Sequence, residues 1–402
     1  MNVVTPSSCP RRVVSTGQDV AMPHTMVDPL SVARSLSPLV EREAAAAESA
    51  GTLPQSLVDA FRDSGLFALQ IPRALGGSEA DAETSLAVYE EVCRADGSAG
   101  WTLLANASTS AFATTYTSDD AVRSMFAGGT PIHAGQFSPR GRAVATDDGY
   151  TVGGHYSFGS GSAHADWVGG GALEMLDGEP RMLAPGRPAI RVFFVPSDHV
   201  DFAGNWDVIG LVGTGSFDYV VPEQFVDGGF TFDLIGGRPL RGGPIYRMGV
   251  LGLALIGHAG FALGVGRRAL DEVTVIARTK QRMGAASRIA DRERFQFELG
   301  RFDAALRSAR SFVYESFGEV QCELDRGDDL TVARLVRLRQ ATTYATHVAV
   351  DVTRFAYSFA GTDPIRTPSA LGRCFRDIHA ASQHLVVDDV TLVLAGQSLV
   401  EG

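Results

Sequence analysis

The sequence predicts a mostly helical α+β chain: helices first, a compact antiparallel β-domain in the middle, then a bundle of long helices. Residues 30–130 and 238–402 place apolar residues at helical spacing. Residues 131–237 lose that period, become dense in glycine and show short β-like runs between turn signals. At 402 residues, 45% of them hydrophobic, the chain is long enough to give each zone a core.

Residues 1–29 contain Arg11 and Arg12 but no continuous apolar stretch, so they do not read as a signal peptide. Their Pro, Ser, Thr and Gly content predicts a flexible extension. Next, Pro38 and Leu39 lead into a long Ala/Glu stretch, and Pro54 opens a second helix stopped by Gly65. Between Glu79 and Arg94, Leu86, Val88, Tyr89 and Val92 mark a third. Asp96, Gly97 and Ser98 break it, and Ser98 is the expected cap of the helix that carries Trp101, Leu103 and Leu104.

In the middle zone the β-like runs are Arg142–Thr146, Gly149–Gly153, Arg191–Val195 and Tyr219–Val221. Asp148-Gly149 is a hairpin turn signal. In the last zone Arg267–Arg282, Asp291–Arg326 and Leu330–Phe359 read as long amphipathic helices, and Arg373–Leu394 as a final one. Met248–Gly266 has no charged residue and is long enough to cross a bilayer. It also holds six glycines and a histidine, and Gly260 and Gly264 allow close helix contact. A buried central helix is the expectation.

Charge and composition remove several classes. A net charge of −11 argues against nucleic acid or an anionic membrane as partner. Lys280 is the only lysine among 35 basic residues, so no Walker A loop exists and any Schiff base would have to use it. The four cysteines form no CxxC pair and the nine histidines no HExxH, which argues against a metal site and for a reducing, cytoplasmic compartment. No GxGxxG follows a strand and no GxSxG elbow is present.

Local motifs carry more. In order they are Ile71-Pro-Arg-Ala-Leu-Gly-Gly77, Ala95-Asp-Gly-Ser-Ala-Gly-Trp101, Gly154-His-Tyr-Ser-Phe-Gly-Ser-Gly161, Asn205-Trp-Asp-Val-Ile-Gly-Leu-Val-Gly-Thr-Gly-Ser216 and Arg373-Cys-Phe-Arg-Asp-Ile-His-Ala-Ala-Ser-Gln-His384. Taken together over about residues 30–400, this set resembles the acyl-CoA dehydrogenase superfamily. It is most similar to the superfamily's two-component flavin-dependent monooxygenase branch, which hydroxylates phenols, steroid-ring phenols and aromatic polyketides.

The resemblance implies an N-terminal helical domain, a central β-domain, a C-terminal four-helix bundle and a homotetramer. It implies reduced flavin (FMN or FAD) delivered by a separate NAD(P)H-dependent reductase, O2 as co-substrate, and a small aromatic substrate attacked through a C4a-hydroperoxyflavin. By the same resemblance, Phe158 and Ser160 edge the flavin, with the Ser160 hydroxyl near N5. Gln136, Phe137 and Ser138 line the ring, and Arg278, Lys280 and Arg282 meet the flavin phosphate. Trp101, Asn106, Thr109 and Trp206 are the substrate-side candidates.

His384 is the expected base. A phenol must lose its proton to make the ring carbon nucleophilic, and imidazole suits that task. On a continuous helix His379, five residues earlier, points about 140° away from it. Two departures leave alternatives open. The Tyr-Glu-Gly-Thr motif of the dehydrogenases is absent, which counts against an acyl-CoA dehydrogenase-like oxidoreductase. A second histidine found in some aromatic hydroxylases is replaced here by the Asn106–Thr109 segment, which leaves room for an N-hydroxylating enzyme acting on an amine.

Overall fold

The computed structural model describes residues 28–401. Of the extension expected over 1–29, residues 1–27 lie outside the described residues. Asp28 and Pro29 instead open the first helix: the Asp28 carboxylate accepts from the amides of Leu30 and Ser31, and Pro29 takes a first-turn position where no amide is needed.

Helices α1 (Pro29–Ala50), α2 (Gln55–Asp63), α3 (Ala82–Ala95), α4 (Gly97–Tyr116) and α5 (Asp119–Met125) come first. Strands β1 (His133–Ala145), β2 (Gly149–Gly159), β3 (Trp167–Leu176), β4 (Glu179–Pro180), β5 (Met182–Ala184), β6 (Arg187–Pro188), β7 (Ile190–Pro196), β8 (Asp201–Phe202), β9 (Phe217–Asp227) and β10 (Thr231–Asp233) follow. The chain closes with α6 (Gly249–Thr279), α7 (Glu293–Arg326), α8 (Val332–Ala360), α9 (Ala370–Ala381) and α10 (Val390–Glu401).

The expected cap at Ser98 is displaced by two residues. Asp96 stands between α3 and α4, and its carboxylate accepts from the Ala99 amide at 3.1 Å. One residue thus ends one helix and starts the next, because its extended backbone breaks the first while its side chain satisfies the second.

The main sheet runs β10-β7-β3-β1-β2-β9-β8, with β4 on the flank of β3. Asp148-Gly149 makes the expected hairpin, with Ala145 opposite Tyr150. The antiparallel expectation holds for every pair in this sheet except one: β1 and β3 are parallel. After the hairpin the chain crosses through residues 160–166 and returns along the other side of β1, which forces the same direction. This crossover puts Ser160 at the sheet's end, against the helices.

Met248 stands just before α6 and Gly249–Gly266 form its first half, and the apolar stretch is largely buried inside the protein. It is a core helix. A Cβ on Gly260 would lie 2.7 Å from the Tyr89 Cβ, and one on Gly264 2.4 Å from the Glu90 carbonyl. These two glycines therefore set the close approach of α6 to α3.

The expected final helix, Arg373–Leu394, is two helices. α9 stops at Ala381, a short 3-10 turn covers Leu385–Val387, and α10 starts at Val390. Side chains impose the break: the His384 imidazole accepts from the Val386 amide and Asp388 from the Val390 amide. His384 accordingly sits on extended backbone before that turn, and the helical angle separating it from His379 does not apply.

Candidate active site

Ser160 lies in the turn after β2, where three elements meet. Its Oγ accepts from Trp101 Nε1 of α4 at 3.0 Å and shares a hydrogen bond with Ser216 Oγ at 3.0 Å. Three bonds link Ser160, Ser216, Thr214 and the Leu211 carbonyl, so all three hydroxyl protons, that of Ser160 included, are used within this network. Ser216 shares a 2.6 Å hydrogen bond with Thr214, and Thr214 donates to the Leu211 carbonyl at 2.7 Å. Trp206 donates to the same carbonyl at 3.1 Å. The loop expected near the ring is therefore wired to Ser160 through hydroxyl groups.

Asn106 holds the same turn from one helical turn further along α4. Its amide donates to the carbonyls of His133 at 2.9 Å and Ser160 at 3.4 Å. Gly161 has φ +70°, and a Cβ there would lie 2.2 Å from Asn106 Oδ1. Only glycine fits both the angle and the contact. Asn106 is thus a clamp on the Ser160 turn, while Thr109 is buried further along α4.

Along β1, Phe137 is packed among Phe112, Phe194 and Phe232, with ring centroids 5.8–6.3 Å away. Gln136 and Ser138 are half-buried beside it, where the β1–β3 register shifts. Two buried oxygens in this neighbourhood, Gln136 Oε1 and Asn106 Oδ1, have no hydrogen-bond partner. Phe158 is 65% exposed with φ +64°, edge-on to Trp206 at 6.0 Å. A bulky residue in that backbone region is strained.

His384 reaches the same place from the C-terminal helices. Its ring is 6.0 Å from Trp101 and 4.4 Å from His258. Burial depresses the His384 imidazole to about 4, so it is neutral at working pH. An open pocket of about 490 Å³, lined also by His347, Asp351 and Asp389, reaches it from the α8 side.

His258 was not among the residues expected at the site. It lies in α6, is 7% exposed, and meets Trp101 edge-on at 5.1 Å. Burial and the neighbouring His384 hold its imidazole well below the ordinary value. The available signal was a lone histidine in an apolar, glycine-rich run, which looks the same as a core histidine.

A buried ionic cluster supports the floor. Arg373 Nε bonds Asp96 Oδ2 at 3.0 Å, its Nη1 lies 3.6 Å from Glu48, and Arg376 pairs with Glu48. Asp377 Oδ1 accepts from the Leu211 amide at 2.6 Å, which fixes the loop of Thr214 and Ser216, while its Oδ2 has no partner. Burial, then Asp96, push the Asp377 carboxyl up to about 7.

The folded chain keeps the Asp377 proton between about pH 4 and 7, where an unfolded aspartate has lost it. Its contribution to stability therefore declines as pH rises through that window. Asp377→Asn keeps the acceptor for Leu211 and removes the titration. It is expected to raise the urea midpoint over wild type at pH 8 but much less at pH 5. An equal difference at the two pH values would contradict this.

The basic stretch is partly engaged. Lys280 Nζ donates to the Ala360 carbonyl at 2.8 Å and pairs with Asp363, and Arg282 donates to the carbonyls of Ser358 and Phe359. Both cap the negative end of α8. The Arg278 carbonyl accepts from Arg288. None of these bonds reaches Ser160 or His384. Lys280→Ala is expected to cost about 1 kcal/mol of stability through the lost cap, measurable as a lower denaturant midpoint.

Comparison with known proteins agrees with this architecture. Residues 31–126 match the family pattern of the acyl-CoA dehydrogenase N-terminal domain, and residues 256–389 that of the C-terminal domain. The fold, with Ser160 and Trp101 at the junction of sheet and helices, is that of an acyl-CoA dehydrogenase-like flavoenzyme. An indole-3-acetate monooxygenase of Pseudomonas putida is 32% identical over 86% of both chains. The flavin-dependent monooxygenase oxygenase subunit HsaA of Rhodococcus jostii is 24% identical over 88–93% of the two. Among solved structures, 3-HSA hydroxylase from Rhodococcus sp. RHA1 superposes with a TM-score of 0.85 at 21% identity, covering 94% of this chain and 98% of its own. TdsC of Paenibacillus, solved with FMN and indole, gives 0.78 at 23% identity, covering 93% and 97%. The chain belongs to the acyl-CoA dehydrogenase superfamily and, within it, to the flavin-dependent monooxygenase branch.

Proposed function

We propose that this chain is the oxygenase component of a two-component monooxygenase that hydroxylates an aromatic or polycyclic small molecule. The observation that carries the reading is the convergence of Trp101, Ser160, His258 and His384 at one junction. The groups there suit a flavin. Gln136 Oε1 and Asn106 Oδ1 are buried acceptors without partners, and the Ser160 hydroxyl lies at the same junction. A flavin ring carries both donors and acceptors on its edge. Bound reduced flavin supplies the electrons that activate O2. The residues of this chain supply the rest: Ser160 a hydrogen bond at the ring edge, Phe158 and Trp206 an apolar mouth against water, and Trp101 a wall for the substrate. We assign Gln136, Phe137 and Ser138 to the side of the ring.

Arg278, Lys280 and Arg282 are assigned to the flavin phosphate, because the Lys280 ammonium has three donors and two are used. The chain holds no sequence for a resident dinucleotide fold, so an NAD(P)H-dependent reductase is the implied source of reduced flavin. A homotetramer in the cytoplasm completes the reading, in keeping with the buried thiols Cys93 and Cys374, which form no disulfide.

Titration under argon tests it. Reduced FMN or FAD is expected to bind and quench tryptophan fluorescence, with oxidised flavin binding more weakly. Failure of both reduced flavins to bind would overturn the proposal. In the same titration Lys280→Ala is expected to weaken binding of the reduced form, and unchanged affinity would leave Lys280 as a helix cap alone.

A further inference from the structure

The proton bookkeeping of the two stacked imidazoles divides their roles. His384 Nδ1 accepts from the Val386 amide at 3.2 Å. A neutral His384 therefore carries its proton on Nε2 and presents a donor. For His384 to take a proton, Nδ1 would have to become an N–H facing another N–H, and the cap on the 385–387 turn would be lost. His258 has no such tie. Its ring packs on His384 and Trp101, and neither nitrogen hydrogen-bonds to any described residue.

His258 is 7% exposed, and with no hydrogen bond to a described residue its acceptor nitrogen would meet a ligand donor without breaking an existing bond. The other walls cannot accept: Trp101 is donor-only and already bonded to Ser160, and Phe261 is apolar. His258 thus holds the one free imidazole lone pair among these rings.

We propose that His258, rather than His384, accepts the hydrogen bond from the ring O–H or N–H of the substrate, while His384 Nε2–H donates to a substrate oxygen. This rests on the monooxygenase reading and adds the polarity of substrate recognition. It selects aromatic molecules with an acidic ring N–H or O–H.

Two measurements test it in the flavin-free chain. Histidine 15N NMR is expected to show His384 protonated at Nε2 and hydrogen-bonded at Nδ1. An unprotonated His384 Nε2 would overturn the assignment without any ligand. For recognition, the probes are indole and 1-methylindole, which lacks the N–H. Wild type is expected to prefer indole by about tenfold, the effect of one hydrogen bond. His258→Phe should bring the two affinities within about twofold, and His258→Gln should restore the preference through its amide oxygen.

A preference that survives His258→Phe, or that is missing in wild type, would overturn the inference. The reading beneath it fails separately. A chain that binds reduced flavin without an indole preference loses only the inference. A chain that prefers indole but binds no flavin loses the monooxygenase.

Discussion

Ser160→Ala is expected to lower oxygen transfer to product on the order of 100-fold, with the lost flux leaving as hydrogen peroxide. The change removes one oxygen, but that oxygen accepts from Trp101 Nε1 and bonds the Ser216 hydroxyl. Trp101 Nε1 then has no acceptor in a mostly buried position, which costs about 1–3 kcal/mol by itself. The packing of Trp101 therefore loosens along with the turn that carries Ser160. The measurement is product formed per reduced flavin in a single turnover, set beside peroxide released. Ser160→Thr keeps the hydroxyl and should recover part of the yield. Product yield within about twofold of wild type in Ser160→Ala would remove Ser160 from the machinery.

Arg373→Ala is expected to cost about 3–5 kcal/mol of folding stability, the size of effect seen when one partner of a buried ion pair is deleted. The Asp96 side chain is 2% exposed and that of Glu48 is 11% exposed, and the guanidinium lies between them. Burial pushes the Asp96 carboxyl up, and Arg373 pulls it back. Without the arginine, Asp96 either ionises unpaired or takes a proton, and both weaken its cap on α4. Trp101 stands five residues into that helix, so the site is expected to loosen before the chain unfolds. The checks are the urea midpoint and the exposure of Trp101 to a fluorescence quencher below that midpoint. A loss under about 1 kcal/mol would mean that water or Arg376 already compensates the carboxylates.

Elements with a strong period were legible in the sequence. Asp291–Arg326 was expected and α7 covers Glu293–Arg326, while Leu330–Phe359 became Val332–Ala360. Long amphipathic helices write their length into apolar and charged spacing. Pairing direction leaves no such trace, because a strand's alternation does not say which neighbour it meets, so the parallel β1–β3 pair was not visible. The break after α9 was hidden for another reason. No Gly or Pro marks it, and it depends on His384 and Asp388 bonding backbone amides two residues on.

The site was legible in pieces. Trp101, Asn106, Ser160, Trp206 and His384 were all singled out, and the structure adds the bonds between the first four and the Leu211–Ser216 loop. Thr214 and Ser216 belonged to a recognised motif, but their role as support for Ser160 is a property of the turn. His258 could not be found this way, since a histidine on a buried helix declares itself only by what lies across from it. Arg278, Lys280 and Arg282 were singled out by the resemblance and their charge, and neither reveals that Lys280 and Arg282 also close the end of α8.

The central claim is that this chain holds reduced flavin and controls its reaction with O2. The most direct measurement is stopped-flow mixing of the reduced-flavin complex with oxygenated buffer, followed from the near-ultraviolet to the visible. The prediction is a two-step trace: a species absorbing below the oxidised-flavin band appears first and persists, and oxidised flavin returns later. That persistence should shorten in Ser160→Ala. A single step straight to oxidised flavin, at the rate of free reduced flavin and with no earlier species, would contradict it.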